Sequence, residues 1–211
     1  MGDYKAVRES DWKDGFLFLG NQLALDFLNT CPLQNSQAVE LLPDFDDLLR
    51  WFRAADLLGS RQATSFRHEW GESTRAQQVV EAMRGLRESL RKEVLCLERG
   101  GTVHREAMDE LNHLMAEHPM LTRLKASGST SITELWFDPR QPEDLFAPVA
   151  HSAAMLFADV DRNRLRKCHQ CVLHFYDTSK KGTRRWCSMQ LCGNRLKVAA
   201  YAARRRLRER D

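Results

Sequence analysis

Apolar residues recur at helical spacing through most of the first 160 positions and at strand spacing only in short runs. FLFLG (Phe16–Gly20) reads as a short strand or an extended entry. NQLALDFLNT then reads as a helix, with Asn21 as its N-cap and Pro32 as its stop. FDDLLRWFRAADLLG (Phe45–Gly59) predicts a second helix, with acids in its first turn and glycine at its end. A long amphipathic stretch, Thr74–Arg99, places Val79, Met83, Leu86, Leu90 and Leu97 on one side and closes at Gly100-Gly101. Another helix runs from Thr102 to His118, where Pro119 ends it. Leu121–Lys125 and Ser131–Phe137, joined by ASGST, predict a β-hairpin. A last helix from about Pro148 to Val160 carries Ala150, Ala153, Ala154 and Ala158 as a small-residue face for close packing. The expected class is α+β: a mostly helical domain over 1–161 with a small antiparallel hairpin, then a smaller unit over 162–211.

Charge separates the same two regions. The chain has 32 Lys/Arg and 29 Asp/Glu. From Arg162 to Asp211 there are 15 basic residues against three acids (Asp177, Glu209, Asp211), a net of +12. Residues 1–161 therefore hold 17 basic and 26 acidic, a net of −9. So dense a basic block calls for a polyanionic partner, most simply nucleic acid. An acidic membrane surface fits less well, because the block lacks the bulky apolar face of an interfacial helix.

The same block carries four cysteines: Cys168, Cys171, Cys187 and Cys192. C-x2-C, fifteen residues and C-x4-C is the spacing of a tetrahedral zinc site, in which two short loops each offer a pair of thiolates. The unit is too small for a core of its own, so one structural zinc per chain would replace it. Two disulfides are the alternative, although nothing else in the chain suggests secretion. His169 and His174 lie inside the unit as less economical ligands. Cys31 and Cys96 sit in apolar surroundings and read as buried thiols.

RLRKCHQC reads as a strand entering a metal knuckle, and VLHFYDTSKKGTRRW as two strand-like pieces around a tip at Ser179–Gly182. From Cys192 onward the chain reads as a basic helix. Its apolar stripe is Leu196, Ala199, Ala200, Ala203 and Leu207, beside a row of Lys197, Tyr201, Arg204 and Arg208. Hairpin, metal and basic helix together suggest a treble-clef-like or ribbon-like finger that lays its helix in a groove. Candidate phosphate contacts are Lys180, Lys181, Arg184, Arg185, Lys197, Arg204, Arg205 and Arg208, with Arg195 either among them or paired with Asp177. Trp186 packs under the hairpin or stacks on a base.

The stretch C-x2-C, F-Y-D-T-S, R-R-W-C-S-M and Cys192-Gly193-Asn194-Arg195 resembles the bacterial CGNR-type zinc finger, over roughly Arg164–Arg206. LGNQLALDFLNT (Leu19–Thr30) resembles the signature of the ABATE domain that precedes this finger. The resemblance implies zinc bound by Cys168, Cys171, Cys187 and Cys192, and a role in stress-induced transcription regulation through duplex DNA. RNA or a protein partner is the alternative for the finger. By the family's pattern, Asn194 and Arg195 stand where a recognition helix presents its first side chains; the competing and favoured reading of Asn194 is structural, as the cap of that helix.

Asn21, Asp26 and Asn29 are polar positions in an otherwise apolar helix. They either line a small-molecule pocket in the first domain or satisfy buried backbone groups. No nucleophile elbow, phosphate loop or HExxH stands in the sequence, and four thiolates leave zinc no open position, so no enzymatic activity is expected. No apolar run nears the ~20 residues a bilayer span needs, and the first residues lack a signal-peptide pattern, so a cytoplasmic location is expected. Loss of the metal is expected to unfold the chain from about residue 165 onward and leave the upstream helices intact.

Overall fold

A computed structural model describes residues 12–34, 37–159 and 161–193. Six α-helices and four two-stranded antiparallel pairs make up the described fold, which is α+β and mostly helical.

The first pair, β1 (Trp12–Lys13) and β2 (Phe16–Leu17), turns through Asp14 and Gly15, both at positive φ. It delivers the chain to α1 (Leu23–Leu28), a short helix buried at Ala24, Leu25, Asp26, Phe27 and Leu28. Asn21 is not the cap of this helix. Gln22 precedes it without a side-chain bond, while Asn21 takes a left-handed φ of 57° and turns its amide elsewhere. The carboxylate of Asp26 accepts the Gly20 N–H at 2.7 Å instead. This closes the turn so tightly that a Cβ on Gly20 would lie 2.6 Å from Leu25 Cβ and 2.8 Å from Asp26 N. A small pair, β3 (Leu33–Gln34) and β4 (Gln37–Ala38), follows.

Helix α2 (Phe45–Ala54) starts where the Asp44 carboxylate accepts the Asp47 N–H, and it stops at Ala54 rather than Gly59. Asp56 then reverses the chain at φ 59°. The reversal allows a helix that the apolar pattern did not predict, α3 (Ser60–Trp70), which buries only Ala63 and Phe66. Two buried residues in eleven are too few to show a period. The 25-residue helix α4 (Thr74–Glu98) is capped by Ser73, whose Oγ accepts the Ala76 N–H. It runs its predicted stripe through the centre and ends at Gly100, where φ is +83°. Helix α5 (Arg105–Glu117) leads into the hairpin of β5 (Leu121–Ser127) and β6 (Thr130–Trp136), whose side chains are mostly exposed.

A 3₁₀ turn (Pro142–Leu145) opens α6 (Phe146–Asp159). Ala150 and Ala153 are fully buried, and the small side chains let α6 lie close to α1, where Ser152 Oγ accepts the Ala24 N–H at 3.0 Å. The core centres on Trp51, which packs edge-on to Phe52 (5.1 Å between ring centroids) and tilted against Phe27 (5.4 Å).

Candidate metal centre

After α6, one 3₁₀ turn (Arg162–Arg164) leads into β7 (Leu165–Lys167), which pairs with β8 (His174–Tyr176) in the register Leu165↔Tyr176, Arg166↔Phe175, Lys167↔His174. The residues between the strands form a knuckle. Its neck is closed by the Cys168 N–H donating to Leu173 O at 2.9 Å, and it presents Cys168 and Cys171. On the other side the chain returns through Trp186 to Cys187 and makes one wide helical turn (Met189–Gly193) carrying Cys192. The Cys192 N–H donates to Ser188 O at 3.0 Å, and the His169 N–H ties the two loops by donating to Arg185 O at 3.0 Å.

These loops bring the four sulfur atoms within 4.8 Å of one another, with Cys168, Cys187 and Cys192 buried and Cys171 half-buried. The Cys171–Cys187 separation is 3.7 Å and the Cys187–Cys192 separation 3.6 Å. A disulfide needs about 2.05 Å. A zinc tetrahedron with bonds of about 2.3 Å has sulfur–sulfur edges of about 3.8 Å. The cysteines are therefore free thiols at the edge length of a zinc site.

Electrostatics agree. Hydrogen bonds from Cys171 and Cys187 hold Cys168 far below the usual thiol range. The bond to Cys168 pushes Cys171 up to about 12. Bonds to Cys168 and Cys171, with burial behind them, push Cys187 up as well. Burial, followed by the charge on Cys168, raises Cys192. Alone, the cluster favours a thiolate at Cys168 and neutral thiols beside it; a divalent cation would offset the hydrogen bonds and burial that favour the neutral form of the other three.

The tip that follows β8 is organised by Asp177, which is fully buried. Its two oxygens accept the N–H groups of Ser179 (2.9 Å) and Arg184 (2.8 Å). Burial would raise this carboxyl, but the bonds from Ser179 and Arg184 outweigh burial and hold it below its ordinary value. Arg164 Nη1 donates to the carbonyls of Asp177 (2.9 Å) and Ser179 (2.8 Å), and Arg166 Nη2 donates to Gly182 O. Gly182 sits at φ +61°, the turn that bends the tip back. Lys180, Lys181 and Arg185 are exposed there. Arg184 is used differently: its Nε donates to Trp186 O at 2.7 Å and its guanidinium lies over the Phe175 ring. Trp186 is half-buried against the metal cluster and donates to Met189 Sδ. Asn194, Arg195, Lys197, Arg204, Arg205 and Arg208 lie outside the described residues.

The finger does not close its own core. Leu17 and Leu19, from the entry to α1, are buried with Cys168, Leu173, Phe175, Cys187 and Cys192. Asn21 and Asn29 bond to the finger's backbone: Asn21 Nδ2 donates to Tyr176 O at 2.8 Å, and Asn29 pairs with both backbone groups of His174. Asp26 holds Gly20, whose carbonyl accepts the Tyr176 N–H at 2.8 Å. The three polar residues of the α1 region thus converge on β8. Leu17 and Leu19 are the contributors the sequence pattern missed, since an apolar alternation shows that a residue is buried but not against what.

A helical α+β domain joined to a compact four-cysteine finger defines the class of this molecule. The sequence matches the ABATE family, described as "Putative stress-induced transcription regulator", over residues 21–160, and the CGNR zinc finger over residues 164–205. The chain belongs to the ABATE family and carries a CGNR zinc finger. A search of curated proteins gives no match. Among the described residues, no helix is long and apolar enough to cross a membrane.

Proposed function

We propose that this protein is a zinc-dependent, DNA-binding transcription regulator that responds to stress, acts in the cytoplasm and binds one zinc per chain. The metal is structural: four thiolates fill the coordination sphere and leave no position for a catalytic water. The observation that carries the DNA reading is the net +12 over residues 162–211 against −9 upstream, joined to a finger whose tip exposes Lys180, Lys181 and Arg185. The segment after Cys192 adds Arg195, Lys197, Arg204, Arg205 and Arg208. The helical domain, acidic and tied to β8 through α1, supplies the sensing half, in which a ligand or partner alters the seam that the finger rests on. No enzymatic role is proposed for it.

The test is the affinity of the zinc-loaded full chain for duplex DNA and for structured RNA across a salt series, followed by selection from a random DNA library. Each phosphate contact steepens the log–log slope by about 0.9 on B-DNA. A steep slope with an enriched motif supports a sequence-reading regulator. Tighter binding to RNA, or a flat slope on both, would replace DNA by an RNA or protein partner.

A further inference from the structure

A cavity of about 270 Å³ opens in the seam between the helical domain and the finger, walled by Cys31, Leu95 and Val172 and bearing Arg91, Lys167 and His174. It draws on four parts of the fold: the chain just after α1, the strand β4 through Ala38, the helix α4, and the finger's hairpin. Lys167 and His174 face each other across β7 and β8, so their side chains share one face of that hairpin. His174 is the informative residue. It is 2% exposed, its backbone is fully engaged by Asn29, and neither ring nitrogen has a hydrogen bond. Nε2 lies 3.5 Å from Glu98 Oε1, an ion-pair distance without hydrogen-bond geometry, and that oxygen is unbonded too. Buried side-chain nitrogens without a partner are uncommon and call for an explanation.

We propose that this seam cavity binds a small organic carboxylate with an apolar body. Lys167 has no side-chain partner among the described residues and supplies the positive charge, while Arg91, anchored by Leu28 O and Glu88, adds N–H donors. Glu88, which also lines the cavity, is already matched by Arg87 and Arg91. The polar end therefore offers N–H groups and positive charge to a carboxylate. Leu95, Val172, Ala38 and Cys31 add apolar lining that a fully hydrated inorganic anion leaves unsatisfied. The volume corresponds to roughly nine waters, the size of a molecule with about ten non-hydrogen atoms. Because α4 and the finger both line the cavity, an occupant binds the two together and favours one arrangement of the seam. This deepens the sensing half of the proposed function and rests on it only for its consequence, not for the binding itself.

The probe is benzoate, titrated into the zinc-loaded full chain with ¹⁵N-labelled histidine, with inorganic phosphate as the comparison. Benzoate is expected to shift the His174 ring resonances saturably and phosphate to leave them in place. Lys167→Gln, an exposed change that spares the fold, is expected to weaken benzoate about tenfold, the effect of removing one charge-assisted hydrogen bond. No saturable shift, an equal response to phosphate, or unchanged affinity in the Lys167→Gln variant would overturn the site. DNA affinity is measured with and without benzoate in parallel. Binding that leaves DNA affinity untouched would uphold the site and count against the sensing reading alone.

Discussion

The side-chain amide of Asn29 exchanges two hydrogen bonds with the backbone of His174, Nδ2 donating to the carbonyl at 2.9 Å and Oδ1 accepting the N–H at 3.0 Å. The pair is buried and joins residues 145 positions apart. It does for β8 what a neighbouring strand would do, and Gly20 and Asn21 do the same for Tyr176 two residues on. The finger's outer strand is thereby completed by the helical domain, and its small core by Leu17 and Leu19.

Asn29→Ala should leave the His174 N–H and C=O buried without partners. A destabilisation of about 2–4 kcal/mol is expected, from two unsatisfied groups at roughly 1–2 each. Chemical denaturation of the zinc-loaded protein checks the figure. A change well under ~1 kcal/mol would mean that water replaces the side chain and that the seam is loose.

Gly20→Ala is expected to be strongly destabilising even though alanine is small. The new Cβ would meet Leu25 Cβ at 2.6 Å and the Asp26 backbone at 2.8 Å, atoms of a buried turn with little room to yield. Thermal melting should show a drop of several degrees, and an unchanged midpoint would show that the turn can open at no cost.

Cys187→Ser, or chelation of the metal, should abolish protection from hydrogen exchange over residues 165–193 and also over 16–21. The upstream effect follows from Leu17 and Leu19, which share the finger's core. Helices α2 to α6 should stay protected, because the core around Trp51 takes only Leu165 and Tyr176 from the finger's strands and nothing from the knuckle. Collapse of every helix together, or deprotection confined strictly to 165 onward, would each contradict the shared seam.

Metal binding should release protons and strengthen as pH rises through neutrality. In the free cluster Cys171, pushed up to about 12, stays protonated at pH 7, and Cys187 and Cys192 are raised as well, while Cys168 is already a thiolate. About three protons should leave per zinc, so acidification weakens the site and alkalinisation favours it. Calorimetry in buffers of different ionisation enthalpy counts them; a release near zero would mean the thiols are ionised before the metal arrives.

Substitutions among the basic residues should sort into two kinds. Lys180→Ala with Lys181→Ala is expected to flatten the DNA salt slope by up to ~0.9 for each phosphate that is no longer neutralised, while leaving stability unchanged. Arg184→Ala should act on stability instead, because its side chain is held by Trp186 O and the Phe175 ring. Equal slopes in all variants would move the phosphate-binding face away from the tip.

The sequence by itself determined the four-cysteine cluster, the division of charge and most of the helices, because each of these is written in local spacing. Cysteines at C-x2-C and C-x4-C come together through short loops, and the stripe from Val79 to Leu97 has the period of a helix whatever it packs against. The tertiary structure decided what the polar residues of the α1 region do. Asn21, Asp26 and Asn29 could line a pocket or satisfy backbone, and the choice depends on partners such as Tyr176, 155 positions away from Asn21. It also decided that α3 exists, since a helix with two buried residues owes its place to the turn at Asp56 more than to its own pattern. Leu17 and Leu19 were legible as apolar residues, but which of two cores they join is settled only when the chain closes on itself. Burial is non-directional and names no partner; metal geometry is directional and does.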